Sequence, residues 1–337
     1  MTQKQIETAY EKMLEAIQIL ENALKSGFLE AYIENGENML EDFKVQVTDG
    51  IPNETDQAAL HDLYLAIKDL NEKLSRAEKL KVLELLLLRG SKEDHLQPNH
   101  QLTPDALGFL FVFFIEQFYP KGPVRILDGT VGMGNLLLTV LIHLNAAGWK
   151  PFGIGVENDD ALIEIAAINS ELTAAPVQFY HQDALQPLLE DAVDVAIADL
   201  PVGYYPQNET AEKFAVAAPD DVHTYAHHIL MEALMKQVKP GGFGIFLVPA
   251  NLFESRQTKN LNRWLKKTVY LQGMIQLPER MFASKSSQKS ILILQQPGEN
   301  VQQAREVLLA KLPSLKDPAK MQEFFAAFHT WKTENLS

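Results

Sequence analysis

Three acidic residues of this chain stand where short β-rich runs end. Asp128 ends the run VRILD, Glu157 ends PFGIGVE, and Asp183 follows VQFYH by two positions. Parallel strands end at one edge of a sheet, so carboxylates at successive strand ends can meet around a single ligand. An acid at the second strand end can accept hydrogen bonds from both hydroxyls of a ribose. We therefore expect a nucleoside ligand, with Glu157 at its ribose and Asp183 at its adenine edge.

The segment LDGTVGMGNLL follows the first of these runs. Its residues Gly129, Gly132 and Gly134 permit backbone angles closed to other residues and let a ligand approach the main chain. The helix that we predict from Asn135 presents free N–H groups at its start. Asp128 precedes the glycines, and a carboxylate there repels a pyrophosphate but suits an ammonium group. S-adenosylmethionine, a nucleoside without phosphates and with positive charge, fits this set of residues.

Bulk composition excludes several classes of chemistry. The chain has 337 residues and no cysteine, which excludes disulfides, cysteine-ligated zinc, iron–sulfur clusters and thiol catalysis. Among His223, His227 and His228, two residues four apart could bind a metal ion from one helix face. No third metal ligand is evident, so no metal site is predicted. The polar N-terminus is unlike a signal peptide, and the longest apolar run, LGFLFVFFI, is far too short for a membrane span. We expect a cytoplasmic protein without a membrane partner.

Charge is distributed unevenly along the chain. The net charge is −14, whereas residues 241–337 carry 13 Lys and Arg against 7 Asp and Glu. One interpretation of this basic excess is a solvated helix face and loop. The other is a rim that contacts the phosphates of DNA. The candidate phosphate contacts are Arg256, Lys259, Arg263, Lys266, Lys267 and Lys285.

Hydrophobic spacing divides the chain into three parts. Apolar residues of 1–95 recur at intervals of three and four, which predicts a helical N-terminal domain. Residues 96–300 alternate short β-rich runs with helical segments, which predicts an α/β domain with a mostly parallel sheet. Its last two runs are joined by a loop, so one of seven strands is expected to be antiparallel. Residues 301–337 are predicted to form a helical tail.

The order of motifs resembles that of the class I methyltransferases, in particular the adenine-specific DNA methylases that include the modification subunits of type I restriction systems. The resemblance covers about residues 98–296 and rests on QLTP, ILDGTVGMGNLL, GVEND, QDAL, ADLPVGYYP, VKPGGFGIFLVPANLF and MIQLPERMF followed by SQKSILILQ. It implies a Rossmann-like fold, S-adenosylmethionine as cofactor and methyl transfer to an exocyclic amino group, most often adenine in DNA. The implied cofactor-binding residues are Thr103, Pro104, Asp128, Gly129, Thr130, Gly132, Gly134, Asn135, Glu157, Asn158, Asp183 and Ala184.

The segment ADLPVGYYP departs from the family pattern, which reads Asn/Asp/Ser-Pro-Pro-aromatic at this point. Asp199 and the Leu200 carbonyl can still polarise an amine, and Pro201 restricts the backbone that carries them. The aromatic residue that stacks on an extruded base is absent, so Tyr204 and Tyr205 are the candidates to replace it. The implied catalytic set is Asp199, Leu200, Pro201, Tyr204 and Tyr205.

Three hypotheses remain open at this point. The first is an N-methyltransferase for adenine in DNA, which the ordered motifs and the basic C-terminal third favour. The second is a methyltransferase for RNA, protein or a small molecule, which the altered Asp-Leu-Pro-Val tetrad and the acidic total charge favour. The third is a cofactor-binding or partner-binding module without catalysis, consistent with the lack of a sequence-recognition region. A specificity subunit that docks on the helical N-terminal domain, or a second copy of the chain, is a further expectation.

Overall fold

The computed structural model describes residues 3–100, 102–219, 222–282 and 284–336. Gln101 of the QLTP motif therefore lies outside the described residues. Eleven α-helices occur in this described part: α1 Gln3–Leu24, α2 Phe28–Leu40, α3 Glu54–Lys73, α4 Arg76–Glu93, α5 Asp105–Phe118, α6 Asn135–Ala146, α7 Asp160–Leu172, α8 Asn208–Ala211, α9 Ala226–Lys236, α10 Thr258–Lys267 and α11 Pro318–Asn335. None of these helices has the length and apolar character to cross a bilayer.

The first four helices pack together, as their apolar spacing predicts. Ile17 and Leu20 of α1 and Leu60 of α3 are fully buried in one cluster. Local signals define two of the helix starts: the Asn53 side chain accepts the first free amides of α3, and Ser75 forms a capping box with Glu78 in α4.

Eight strands form a single sheet. Their bounds are β1 Pro123–Asp128, β2 Lys150–Glu157, β3 Val177–His181, β4 Val193–Asp199, β5 Val238–Pro249, β6 Tyr270–Gln276, β7 Lys289–Gln295 and β8 Leu308–Lys311. The order across the sheet is β3-β2-β1-β4-β5-β7-β6-β8, and β7 runs antiparallel to both of its neighbours. The predicted α/β fold with one antiparallel strand is therefore confirmed.

The strand count and the C-terminal tail differ from the prediction. Strand β8 pairs in parallel with β6 at the sheet edge, so there are eight strands and not seven. The tail predicted as helical thus begins with a strand, which has only four residues and too short a pattern to be recognised. Helix α11 follows it and packs Phe328 against Phe114 of α5, with ring centroids 5.2 Å apart.

Alternate residues of each strand enter two different layers, because side chains of a strand point to opposite faces. Ile126 and Val195 lie with α5, α6 and α11 on one face. Leu127 and Ala196 lie with α9 and α10 on the other face. Helices cover both faces, and the carboxyl ends of the parallel strands remain as the open edge.

The helical N-terminal part packs on the sheet domain close to the glycine loop. The Tyr32 hydroxyl donates to Asn169 Oδ1 at 2.5 Å, and Asn169 Nδ2 donates to the Met133 carbonyl at 3.3 Å. Gly36 of α2 lies against Ile168 so closely that a Cβ atom there would be 2.5 Å from Cγ2 of that side chain. The helical bundle therefore supports the loop that we predict to bind the cofactor.

Candidate functional site

The glycine loop leaves strand β1 with a buried acid at its start. Asp128 is 1% exposed and accepts the Thr130 amide at 3.1 Å. Burial, followed by the negative charges of Asp199 and Glu157, raises the pKa of Asp128 to about 8. A cationic ligand group at this carboxyl would stabilise its ionised form.

Two glycines of the loop adopt backbone angles that favour glycine. Gly132 has φ +53°, and a Cβ atom built on it meets no described atom within 4 Å, so a side chain would enter the cleft. Gly134 has φ +88° and precedes α6 without a side-chain cap, which leaves the first amides of that helix available.

Glu157 connects the second strand end to the same loop. Its Oε2 accepts the Gly132 amide at 2.9 Å, and its Oε1 accepts the Asn158 amide at 2.9 Å. These bonds orient the carboxylate at the wall of a cleft of about 1040 Å³. The cofactor-binding candidates in this wall are Gly129, Thr130, Gly132, Glu157, Asn158, Asp183 and Ala184.

Asp183 has a partner that the sequence did not predict. Its Oδ1 accepts the Leu185 amide at 2.9 Å, and its Oδ2 accepts the Tyr205 hydroxyl at 2.5 Å. Burial, followed by this bond to Asp183, raises the pKa of Tyr205 to about 12. The geometry therefore groups Tyr205 with the predicted adenine side of the cleft, apart from Asp199.

A second, smaller cavity adjoins the cleft and shares Thr130, Gly132 and Asp199 with it. The predicted residues that line it include Thr103, Asp128, Thr130, Gly132, Asn135, Asp199, Leu200 and Pro201. Asn135 Nδ2 donates to the Thr103 carbonyl at 2.5 Å, which joins α6 to the segment before α5. Pro104 and Gly134 line neither space and instead occupy the N-cap positions of α5 and α6.

Both carboxylate oxygens of Asp199 have partners. Oδ2 accepts the Thr103 hydroxyl at 2.9 Å, and Oδ1 forms an ion pair with Lys289 Nζ. Lys289 lies in the basic C-terminal third of the chain but is not among the residues predicted for the site. Its position as the first residue of β7 could have indicated its place in the site. An antiparallel strand begins at the edge of the sheet where its parallel neighbours end.

The Leu200 carbonyl is left without a donor. The Leu200 amide donates to the Leu247 carbonyl at 3.2 Å, which continues the parallel ladder between β4 and β5. The next bond of that ladder would run from the amide of residue 249 to the Leu200 carbonyl, but Pro249 has no N–H. Within the described ranges, no other group donates to this oxygen. The Leu200 carbonyl thus keeps an unused acceptor next to Asp199 in the chain, although Leu200 itself is buried in this structure.

The loop after Asp199 is held in place by side chains from other segments. Asn99 exchanges two hydrogen bonds with the Val202 backbone, at 3.1 and 3.2 Å. His227 is buried against the backbone of Pro201. Burial lowers the pKa of His227 to about 4, so this ring is neutral at pH 7. Val202, at the position of the family's aromatic residue, therefore anchors the loop through its backbone.

Tyr204 forms the exposed end of an aromatic stack. Its ring lies 4.8 Å from the ring of Tyr225 with an interplanar angle of 14°, and Tyr225 stacks in turn on His227 at 5.2 Å. Tyr204 is 56% exposed and lines the same cleft as Asp199. Of the two candidate tyrosines, it is the more exposed, since Tyr205 is half-buried.

The six basic candidates lie outside both cavities. All six are exposed: Arg256, Lys259, Arg263, Lys266, Lys267 and Lys285. Helix α10 buries Leu261, Trp264 and Leu265 and turns its basic residues outward. The start of this helix contacts the loop that follows Asp199, since Gln257 bonds both the Tyr225 amide and the His223 carbonyl. Within the residues that the structure describes, no cluster of three metal-binding side chains occurs.

Comparison with known proteins identifies the family. The N-6 DNA methylase family model matches residues 83–329. The chain belongs to the N-6 DNA methylase family. The uncharacterized protein YtxK of Bacillus subtilis (strain 168) is 37% identical, with 98% of each chain covered. This family membership confirms the resemblance drawn from the ordered motifs.

Two solved structures share the fold. A Listeria monocytogenes protein (lmo1582), assigned as a class I S-adenosylmethionine-dependent methyltransferase, aligns with TM-score 0.89 and 36% identity over 98% of this chain and 99% of that chain. A type I restriction-modification methyltransferase subunit from Streptococcus thermophilus aligns with TM-score 0.65 and 15% identity over 96% of this chain and 74% of that one. The protein is a member of the S-adenosylmethionine-dependent methyltransferases, and S-adenosylmethionine is its cofactor.

Proposed function

We propose that this protein transfers a methyl group to the exocyclic amino group of adenine in DNA. The proposal rests on one observation: two residues that carry hydrogen-bond acceptors line the same cavity as the glycine loop. Asp199 and Leu200, whose carbonyl has no donor among the described residues, line one cavity with Asp128 and Gly132. An amino group held there would lie beside the cofactor cleft.

The residues of the cleft suit the cofactor. When bound, S-adenosylmethionine supplies an electrophilic methyl group. In the proposed arrangement, Asp128 and the first amides of α6 hold its amino-acid end, Glu157 accepts the ribose hydroxyls, and Asp183 faces the adenine edge. The open space at Gly132, which a Cβ atom would enter, supports this assignment.

The acceptor side prepares the amine for attack. The lone pair of an exocyclic amine is delocalised into its ring, which makes it a poor nucleophile. Asp199 and the Leu200 carbonyl accept its two N–H bonds and localise the lone pair on nitrogen. The product nitrogen then loses one proton, and the Asp199 carboxylate, which accepts one of its N–H bonds in this arrangement, is the candidate base.

Two surface features support a DNA substrate. The exposed face of Tyr204 offers a stacking platform for a base that has left the duplex. The basic face of α10 adjoins the same loop and offers contacts to phosphates, and α10 itself contains no acidic residue.

The test uses cofactor with a labelled methyl group. Genomic DNA from a strain that lacks the gene is incubated with the purified protein, digested, and its labelled nucleosides are identified. We expect labelled N6-methyladenine, and we expect it to vanish with Asp199→Ala. Label in RNA or protein, with none in DNA, would overturn the proposal.

A second candidate substrate is the side-chain amide of a protein glutamine. A segment of 82 residues is 27% identical to a release factor glutamine methyltransferase of Enterococcus faecalis (strain ATCC 700802 / V583), over 24% of this chain and 28% of that protein. An amide nitrogen is delocalised like that of adenine and would use the same two acceptors. A labelled glutamine-containing peptide in the assay above would favour this candidate.

A further inference from the structure

The acceptor cavity contains a cation that the proposed chemistry has not used. The Lys289 ammonium pairs with Asp199 Oδ1, and the two side chains are 21% and 22% exposed. Both residues line the cavity together with Thr103 and Leu200. A lysine has three N–H donors, and Asp199 is the one hydrogen-bond partner of this ammonium within the described chain. Donors therefore remain available beside the Asp199 carboxylate.

We propose that Lys289 is a specificity-determining residue that recognises a hydrogen-bond acceptor next to the amino group being methylated. This inference rests on the proposed function, since it concerns the substrate of the same site. The cavity offers an acceptor on Asp199 and an adjacent donor on Lys289, and Leu200 lines it beside them. The complementary group is an amine bonded to a carbon that also carries a ring nitrogen or an oxygen.

Several substrate groups have this edge and others lack it. Adenine presents N6 beside N1, cytosine presents N4 beside N3, and a primary amide presents its nitrogen beside its carbonyl oxygen. The side chain of a lysine substrate has no such acceptor, and its positive charge would stand beside the ammonium of Lys289. The ion pair also makes the combined charge of Asp199 and Lys289 zero, so this pair does not select a cationic amine.

The adjacent groups keep Lys289 in this position. The Lys289 backbone pairs with Pro249 in the β5–β7 ladder, next to the ladder bond that the proline interrupts. Thr103 donates to the other oxygen of Asp199, so the carboxylate is oriented from both sides. The neutral His227 lies near enough for the charge of Lys289 to lower its pKa, and it adds no second charge to the site.

The experiment compares acceptor analogues with two variants of Lys289. Single-stranded oligonucleotides of mixed sequence are prepared with adenine, 7-deazaadenine or 1-deazaadenine, together with a glutamine peptide and a lysine peptide. We expect the wild-type protein to methylate the 1-deaza oligonucleotide at least tenfold more slowly than the other two. Lys289→Met should lower kcat/KM for adenine at least tenfold and abolish this discrimination. Lys289→Arg should keep part of the rate with adenine and part of the discrimination against 1-deazaadenine.

Controls separate recognition from folding. Cofactor affinity, measured by calorimetry, should stay within threefold of wild type in Lys289→Met, and Lys311→Met on the exposed edge strand should match wild type in every assay. Equal rates for Lys289→Met and wild type, or equal discrimination by both, would overturn the inference and leave the proposed function standing. Transfer to the glutamine peptide alone, lost in Lys289→Met, would overturn adenine as substrate and support the inference. Transfer to the lysine peptide, or no transfer to any acceptor, would overturn both.

Discussion

The two halves of the cleft are built in different ways. The cofactor half takes its residues from consecutive strand ends and the glycine loop, so their order in the chain matches their order in space. The acceptor half combines Asp199 with Lys289, Asn99 and His227, which come from distant segments. The residues that we propose for the cofactor thus lie in compact motifs, and those that we propose for the acceptor are assembled by the fold.

The first prediction separates the two halves by their largest effects. Asp199→Ala should lower kcat/KM about 10²–10³-fold, the usual range for the loss of one group that stabilises developing charge, and leave the cofactor dissociation constant within threefold. Glu157→Gln should weaken cofactor binding by roughly tenfold, because a charged acceptor of hydrogen bonds is lost. Labelled-methyl transfer and calorimetry measure the two quantities. A large loss of cofactor affinity in Asp199→Ala would contradict the division.

The second prediction compares two glycines three positions apart. A Cβ atom at Gly129 would lie 2.2 Å from Leu234 Cδ2, so Gly129→Ala should lower the free energy of unfolding by about 1–3 kcal/mol. At Gly132 the Cβ atom meets open cleft at φ +53°, so Gly132→Ala should weaken cofactor binding by about tenfold at a backbone cost of about 1 kcal/mol. Denaturant titration and calorimetry of both variants test this. If both variants lost stability and cofactor affinity to the same extent, Gly129 would not act mainly in packing and Gly132 would not act mainly in binding.

The third prediction concerns the acceptor half alone. Tyr204→Ala should raise KM for the nucleic acid by roughly tenfold, within the range of about 1–3 kcal/mol per stacked base. Tyr204→Phe serves as the matched control and should retain wild-type KM, since it keeps the ring that stacks on Tyr225. A KM for Tyr204→Ala equal to that of wild type would leave Tyr204 as part of a packed turn.

Most of the cofactor half could be predicted from the sequence because each residue belongs to a local pattern. Asp128 ends a strand run, and Gly132 belongs to the glycine loop that directly follows it. Lys289 and His227 could not be assigned in the same way. Lys289 reaches Asp199 only because β7 lies beside β5 in the opposite direction, and His227 becomes neutral only through burial under the loop. The strand β8 was missed because four residues at a sheet edge carry too little pattern.

The fourth prediction uses pH on the cofactor half. The pKa of Asp128 is about 8 in the folded protein, above its value of about 3.9 in an unfolded chain, so the folded state binds an extra proton between these pH values. The free energy of unfolding therefore falls as pH rises through this window. Asp128→Asn should raise the melting temperature relative to wild type at pH 8 and leave it nearly unchanged at pH 4.

The same proton should appear in cofactor binding. A cationic ligand group favours the ionised carboxyl, so binding to wild type at pH 7 should release a fraction of a proton, and affinity should fall several-fold between pH 8 and pH 6. Calorimetry in two buffers of different ionisation enthalpy measures this release, which Asp128→Asn should abolish. Identical proton release in the variant would place the ammonium of the cofactor at another group.

The smallest expected effect concerns the basic face of α10, which lies beyond both halves. Lys266→Glu combined with Lys267→Glu should weaken DNA binding about three- to tenfold at 100 mM salt and reduce the slope of log K against log salt by about one per lost phosphate contact. The matched control is Lys316→Glu with Lys320→Glu, a second pair of exposed lysines on the C-terminal tail. Fluorescence anisotropy with a labelled duplex at several salt concentrations gives both quantities. If the two double variants behave alike, the charge of α10 acts only through the net charge of the molecule, and DNA would be held by the acceptor half alone.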